Sequence, residues 1–228
     1  NSISLRRLPH CKPPEGIFFI SDRLYGSVPK PVIERLKSEP QQALQLLDID
    51  HKSSLEAVAK GLSKETKQTL EGILHRKRYD ESKRHFQGFD TFLDSNLNEP
   101  HYLKDPSIAQ LNLDNYHHYA GRYFTLWACC IMSNHVHLLL TLKPEAPILW
   151  KVMQDMKKYS GRKCNQLLGL SGQFWEAESY DHLVREKAGE FERILWYILN
   201  NPVKAGLAKD WRDWPFTYCH PDWLCAAP

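Results

Sequence analysis

The chain has no long hydrophobic run among its 228 residues. Its longest apolar stretches, such as Leu138 to Leu142, are far shorter than the roughly 20 residues that a membrane-spanning helix requires. Residues Asn1 to Cys11 contain no apolar segment of signal-peptide length. These absences argue against a bilayer protein, and we expect a cytoplasmic one.

Paired metal-binding cysteines are also missing. None of the six cysteines forms a Cys-x-x-Cys pair, so a structural zinc site lacks its usual ligand spacing. A disulfide framework is improbable in a chain of this size in a reducing compartment, and we interpret the cysteines as buried or incidental thiols. The sequence also lacks the G-x-x-x-x-G-K-[ST] loop that binds nucleotide phosphates.

The net charge is small. With 30 Lys and Arg against 27 Asp and Glu, the formal charge of +3 permits a nucleic-acid partner without requiring one. Hydrophobic residues at 42% and charged residues at 25% are typical of an ordinary globular protein. The length suits a single domain with a large insertion.

The hydrophobic pattern predicts an α+β fold, with an antiparallel sheet covered by helices. Only Ser133 and Asn134 separate two of the predicted strands, which favours a tight hairpin there. We predict one domain, 1–228, with a helical insertion at about 41–85 and a C-terminal tail at about 205–228. The predicted strands are 16–23, 123–132, 135–142 and 180–185, and the predicted helices after the insertion are 86–97, 105–119, 149–168 and 190–200.

A His-Val-His sequence lies on the second hairpin strand. Because side chains of a strand alternate between faces, His135 and His137 point the same way, while Val136 points toward the core. Two converging imidazoles suit a divalent metal ion bound through neutral ring nitrogens. The pair alone is equally compatible with two ordinary histidines on a polar sheet face.

The predicted helix before Pro202 offers further polar groups. Tyr197 and Asn201 are four residues apart on one flank of that helix, so they face the same way. A phenol and an amide oxygen side by side could serve as a nucleophile and a metal ligand. Alternatively, Tyr197 is an amphipathic rim residue and Asn201 a helix C-cap.

Several motifs together resemble one known family. MSNHVHLLL at 132–140 resembles the MPNHVHLL signature of the REP-associated tyrosine transposases, members of the HUH single-tyrosine transposase superfamily. Two features depart from that pattern: Ser133 replaces the usual proline, and the excursion at about 41–85 is additional. The other matching stretches, in the family's order, are RRLPH at 6–10, FFISDRL at 18–24, YLKDP at 102–106, KKYSGRKCNQLLG at 157–169, FWEAESYDHLVR at 174–185, YILNNPVKAGL at 197–207 and DWPF at 213–216.

The resemblance implies both a fold and a reaction. The fold is a ferredoxin-like or palm-like antiparallel sheet covered by helices, to which this chain adds its own helical insertion after the first strand. The reaction is metal-dependent cleavage and rejoining of single-stranded DNA from hairpin-forming repeats, through a 5′-phosphotyrosine and a free 3′-OH. By the same resemblance Tyr197 is the nucleophile, and His135, His137 and Asn201 hold a divalent ion, Mg²⁺ or Mn²⁺.

DNA contacts are predicted mainly on basic segments. The predicted helix 149–168 carries several cations that suit phosphate binding, which we favour over the alternative of a solvated lysine face. An N-terminal arginine pair could clamp DNA. Trp175 and His182 could contact unpaired bases, although Trp175 is as well explained as a core residue. The predicted DNA-contacting residues are Arg6, Arg7, Lys157, Lys158, Arg162, Lys163, Trp175 and His182.

The sequence is also compatible with other functions. A hairpin-DNA-binding protein without catalysis would need neither metal nor Tyr197. A barrel-type metal hydrolase lacks the regular βα units and the further ligands that it would need. Tyr159 and Tyr180 are alternative nucleophiles, but neither is followed one turn later by a polar partner just before a proline. The oligomeric state is open, with a slight preference for a monomer.

Overall fold

The computed structural model describes residues 16–35, 86–95, 100–185 and 189–224. Arg6, Arg7 and the predicted insertion at 41–85 lie outside these residues. The chain divides into two compact units, one containing residues up to Ser27 and from Asn98 onward, and the other comprising Val28–Leu97. Of the second unit the structure describes 28–35 and 86–95, in which 30–35 and 86–95 are helical.

The first unit contains a five-stranded antiparallel sheet, which confirms the predicted α+β class. Its spatial order is β4-β1-β3-β2-β5. The four predicted strands are present, and the fifth is a short strand in the C-terminal tail that shows no alternation in sequence. The strands are β1 Ile17–Arg23, β2 Phe124–Ile131, β3 His135–Leu142, β4 Tyr180–Leu183 and β5 Thr217–Cys219.

The first helix of this unit begins where the sequence indicates but ends at Tyr123, four residues after the predicted end, whereas the second begins and ends as predicted. Helix α1, Pro106–Tyr123, starts after Asp105, whose side chain accepts a hydrogen bond from the Ser107 backbone N–H. Helix α2, Leu149–Leu168, ends at Gly169, which adopts the left-handed conformation with φ of 66°. Both starting and stopping signals are local, so the sequence predicted them well.

The end of the next helix differs from the prediction. Helix α3, Glu190–Leu199, ends one residue early because the chain turns at Asn200. A new short helix, α4 Asn201–Lys204, then begins with Pro202 in its first turn. Proline is well suited to that position because its missing N–H has no intrahelical partner there. A last short helix, α5 Pro221–Leu224, follows β5.

Helices cover both faces of the sheet. Phe18, Ile20, Leu138 and Leu140 lie on one face and form a buried core that includes apolar residues of α1 and α2. On the other face the ring of Phe19 contacts the ring of Tyr197, which places α3 on that side. The first unit therefore has three layers, with the sheet in the middle. Among the helices of the described ranges, none is long and apolar enough to cross a bilayer.

Candidate functional site

The two histidines occupy the centre of the sheet. His137 lies directly opposite Ser21 of β1 and Cys130 of β2. Directly opposed residues of an antiparallel pair share a face. One row across all five strands therefore contains Tyr180, Ser21, His137, Cys130 and Thr217.

His135 and His137 are close together, as strand alternation predicts. Their ring centroids are 4.8 Å apart, and one ring nitrogen of each lies within 4.8 Å of the other. His135 is 1% exposed and His137 is fully buried. Such burial excludes the interpretation of the pair as ordinary histidines on a solvated sheet face.

Asn134 orients the first histidine. Its Oδ1 lies 2.7 Å from His135 Nδ1, so in the neutral ring Nδ1–H donates to the amide oxygen. The lone pair is then on Nε2. A hydrogen bond of this kind fixes the tautomer and the ring orientation of metal-binding histidines. No local pattern in the sequence assigns this role to Asn134.

Tyr197 lies beside the histidine pair. Its ring centroid is 5.5 Å from that of His137, and Lys204 Nζ lies 5.8 Å from the Tyr197 ring centroid. Phe19 joins these groups, because its ring stacks on His137 at 5.6 Å and meets Tyr197 edge-on at 6.0 Å. The structure thus brings together three of the four residues that the resemblance assigns to chemistry: Tyr197, His135 and His137.

Asn201 begins helix α4, one turn after Tyr197, and is fully buried. Both polar atoms of its side chain are buried, and neither has a hydrogen-bond partner among the described residues. Burying an unpaired amide costs about 1–3 kcal/mol, so such a group is commonly satisfied by a ligand, an ion or water. Two imidazole nitrogens and an amide oxygen fit a divalent cation.

Two other polar contacts shape the surroundings of the histidines. His101 Nδ1 lies 2.8 Å from Ser133 Oγ, and the Leu103 backbone N–H donates to the Ser133 carbonyl. Ser133 therefore ties the hairpin turn to the segment before α1.

Arg23, directly across from His135, pairs with Glu176 at 3.2 Å. Burial lowers the pKa of Arg23, while Glu176 and Glu178 oppose that effect.

Lys157 occupies a structural position. Its Nζ lies 3.0 Å from Asp22 Oδ1 and donates to Ser179 Oγ at 3.0 Å. The Asp22 side chain is only 1% exposed, and Asp22 lies on the sheet face that α2 covers. The ammonium group therefore neutralises a buried carboxylate, which favours a structural role over phosphate binding.

Trp175 belongs to the hydrophobic core. It is 5% exposed, and its Nε1–H donates to Ser160 Oγ at 2.9 Å. This placement favours the core interpretation over base stacking.

His182 lies on the edge strand β4, opposite Phe19, with its Nε2 3.2 Å from Glu190 Oε1. Burial lowers the pKa of His182, and the neighbouring Glu190 opposes that effect.

Tyr180 shares the face of the histidines and meets Phe19 edge-on at 6.1 Å. Tyr159, by contrast, is on α2, which covers the opposite face. Lys158 and Arg162 are exposed on α2, whereas Lys163 is half-buried.

Comparisons with known proteins confirm the resemblance noted in the sequence. Residues 114–201, which include β2, β3, α2 and α3, match the family model described as "Transposase IS200 like". A putative REP-associated tyrosine transposase of Haemophilus influenzae is 28% identical over 109 residues, covering 43% of this chain and 61% of that protein. The REP-associated tyrosine transposase of Escherichia coli is 29% identical over 101 residues, covering 44% of this chain and 58% of that protein.

The chain thus matches about three fifths of the length of these two relatives. A solved structure of a REP-associated tyrosine transposase bound to a REP hairpin aligns with all of this chain and 89% of that chain. Its TM-score is 0.49, at 16% sequence identity.

Proposed function

Since this chain is related to the IS200-like and REP-associated tyrosine transposases, we propose that it is a metal-dependent transposase that cleaves and rejoins single-stranded DNA. The preferred substrate is DNA of palindromic repeats that fold into hairpins. The names of the relatives support this substrate class, because both are REP-associated. The observation that carries the proposal is the contact between the Tyr197 and His137 rings in the buried sheet centre.

Tyr197 is the nucleophile in this proposal. Its phenolic oxygen attacks the phosphorus of the scissile phosphodiester, the bond to the 3′ oxygen breaks, and the DNA is left with a free 3′-OH. The 5′ phosphate becomes joined to the tyrosine. One phosphodiester-type bond replaces another, so a 3′-OH can later reverse the step without a nucleotide cofactor.

The surrounding residues hold the tyrosine and the phosphate in position. Phe19 limits the rotation of both the Tyr197 and His137 rings through its contacts with them. The proposed ligands are His135 Nε2, a ring nitrogen of His137 and Asn201 Oδ1. A bound divalent ion, Mg²⁺ or Mn²⁺, would polarise a non-bridging phosphate oxygen and stabilise negative charge in the transition state.

The contacts with DNA are part of the proposal as well. Lys158 and Arg162 are exposed on α2, and we assign them to phosphates together with Lys163. His182 lies on the tyrosine face of the sheet, where it can contact a base near the cleaved bond. Arg6 and Arg7 keep their proposed role as a DNA clamp.

Replacement of the nucleophile tests the proposal. Incubated with single-stranded hairpin oligonucleotides and Mn²⁺, the wild-type chain should form a covalent protein–DNA adduct that denaturing gels resolve. Tyr197→Phe should form none, since the reacting oxygen is absent, and EDTA should suppress the adduct of the wild type. Tyr180→Phe is the matched control, because Tyr180 contacts the same Phe19 ring and should keep the adduct.

The possible outcomes separate the rival functions. An adduct that persists in Tyr197→Phe overturns the assignment of the nucleophile. Hairpin binding without any adduct, unaffected by EDTA and by His135→Ala, would identify a non-catalytic hairpin-binding protein.

A further inference from the structure

A groove between α1 and α2 lies on the side of the sheet opposite Tyr197. It has a volume of about 410 Å³ and is lined by Tyr119, Asp155, Lys158, Tyr159 and Arg162. None of these residues belongs to the proposed catalytic centre; Lys158 and Arg162 are two of the cations already assigned to DNA phosphates, and the groove specifies which part of the DNA they meet.

The two helices that form the groove are held by buried amides. Asn112 Nδ2 donates to Cys164 Sγ at 3.4 Å, and Asn115 Nδ2 donates to the Met156 carbonyl at 3.2 Å. The order of these contacts shows that α1 and α2 run antiparallel. Asn112 is fully buried and Asn115 is 4% exposed, so both hydrogen bonds are shielded from water and join the two helices that form the groove.

Aromatic side chains line the groove and its margin. Tyr159 is 45% exposed, and Tyr119 is half-buried opposite it. The Tyr119 ring lies 5.8 Å from that of Tyr123, over which the Arg122 guanidinium sits at 4.9 Å. Burial raises the pKa of Tyr119, Asp155, Tyr123 and Tyr159 add to the increase, and Arg122 opposes it, so the phenol is neutral near pH 7.

The charge of the groove is positive. Its carboxylate, Asp155, already pairs with Lys151 at 2.9 Å. Within the ranges that the structure describes, Lys158 and Arg162 have no ion-pair partner, and both are exposed. Two unneutralised cations beside partly exposed rings form a surface complementary to a polyanion that carries flat, apolar groups.

We propose that this groove binds unpaired nucleotides of single-stranded nucleic acid, as a second binding surface separate from the Tyr197 centre. Tyr159 and Tyr119 offer ring faces for base stacking, which tolerates any sequence because every base has a π-face. Lys158 and Arg162 neutralise the adjoining phosphates. Paired bases offer no free face to these rings, so an unpaired segment is the occupant.

This groove would hold a strand without cleaving it. The α1–α2 layer lies on one face of the sheet and α3 on the other, so a strand that occupies both surfaces must pass around the sheet edge. The segment bound in the groove therefore does not include the phosphodiester that is cleaved. Its affinity does not depend on the chemistry of Tyr197 or on the metal.

The test compares four full-length variants with the wild type by fluorescence anisotropy, using a labelled single-stranded oligonucleotide in EDTA. Tyr159→Ala should weaken binding by about 5-fold or more, because stacking contributes about 1–3 kcal/mol per base. Tyr159→Phe keeps the ring and should bind like the wild type. In a plot of log affinity against log salt concentration, the double variant Lys158→Gln/Arg162→Gln should have a slope shallower by about 0.7 for each phosphate that it no longer neutralises. Lys209 is an exposed lysine elsewhere on the surface, so Lys209→Gln should leave the slope unchanged.

Several results would overturn the inference. Unchanged affinity in Tyr159→Ala would do so, as would an equal decrease in Tyr159→Phe. Concentration-dependent self-association that Tyr159→Ala abolishes, without an effect on the oligonucleotide, would assign the groove to a second copy of the chain. Absence of any covalent adduct would contradict the proposed function, but it would not affect the inference if the affinity for the oligonucleotide still depended on Tyr159.

Discussion

At the scale of single residues, the sequence identified the groups that one strand places together. The alternation of β3 alone puts His135 and His137 on one face, and the structure confirms their proximity. The sequence assigned no role to Phe19 or Asn134. The contact of Phe19 with Tyr197 depends on β1 and α3 meeting, which no local pattern encodes. The sequence left Trp175 open between the core and base stacking, and its hydrogen bond to Ser160, which favours the core, depends on a contact that no local pattern encodes.

The hydrogen bond from His135 to Asn134 leads to a prediction about metal affinity. Asn134→Ala removes the acceptor that fixes the His135 tautomer. Loss of such a partner typically lowers metal affinity 10–100-fold, and we expect a decrease of about that size for Mn²⁺, measured by isothermal titration calorimetry. Asn134→Asp keeps an acceptor and should retain most of the affinity. Equal affinities in the alanine and aspartate variants would contradict this role.

At the scale of helices and strands, the residues that start and end a helix could be predicted from the sequence, whereas contacts between residues distant in sequence could not. Asp105 and Gly169 defined helix boundaries because capping signals act within a few residues. The three-residue β5 is too short for alternation and forms only because β2 offers it an edge. Lys157 was predicted to bind DNA because it belongs to a basic helix, and its contact with Asp22 could not be predicted because 135 residues separate the two in sequence.

The ion pair between Asp22 and Lys157 predicts an asymmetry between adjacent lysines. Lys157→Met leaves the buried Asp22 carboxylate without its cation, which should lower the free energy of unfolding by about 3–5 kcal/mol. The same change at exposed Lys158 should alter stability by less than about 0.5 kcal/mol. Urea denaturation measures both, and Asp22→Asn should recover part of the stability in the Lys157 variant. Similar midpoints for the two single variants would refute the structural role.

The attachment of β4 to α3 through His182 and Glu190 predicts a pH effect. Burial lowers the pKa of His182 in the folded chain, so the unfolded chain binds more protons as pH falls below about 6.5. The contribution of His182 to stability is therefore complete above about pH 6.5 and is lost as pH falls through the lower, folded pKa. Asp181 and Glu190 raise that pKa, and Arg185 lowers it.

Replacement of His182 checks this effect. His182→Gln should flatten the pH dependence of the urea midpoint below about pH 6.5, while His118→Gln, which changes an exposed imidazole, should preserve it. If the urea midpoint of His182→Gln depended on pH as steeply as that of the wild type, a group other than His182 would be responsible for the effect.

At the scale of the whole molecule, the first unit has its candidate metal ligands on two different elements. His135 and His137 come from the central strand, and Asn201 comes from α4 after a change of helix direction at Asn200. The unfolded chain does not hold these groups together. Binding should therefore be coupled to folding, so that metal stabilises the native state by mass action.

Thermal unfolding tests that coupling without any DNA. At a Mn²⁺ concentration about 100 times the Kd, the native state should gain about 2.7 kcal/mol, and Tm should rise by roughly 5–10 °C relative to EDTA. His135→Ala/His137→Ala should abolish the rise even if its own Tm is lower, because the comparison is made within each variant. His118→Gln should keep the rise in full, since its exposed ring lies outside the donor set. If the histidine double variant gained as much Tm as the wild type, the metal would be bound elsewhere, and the proposed role of the histidine pair would fail.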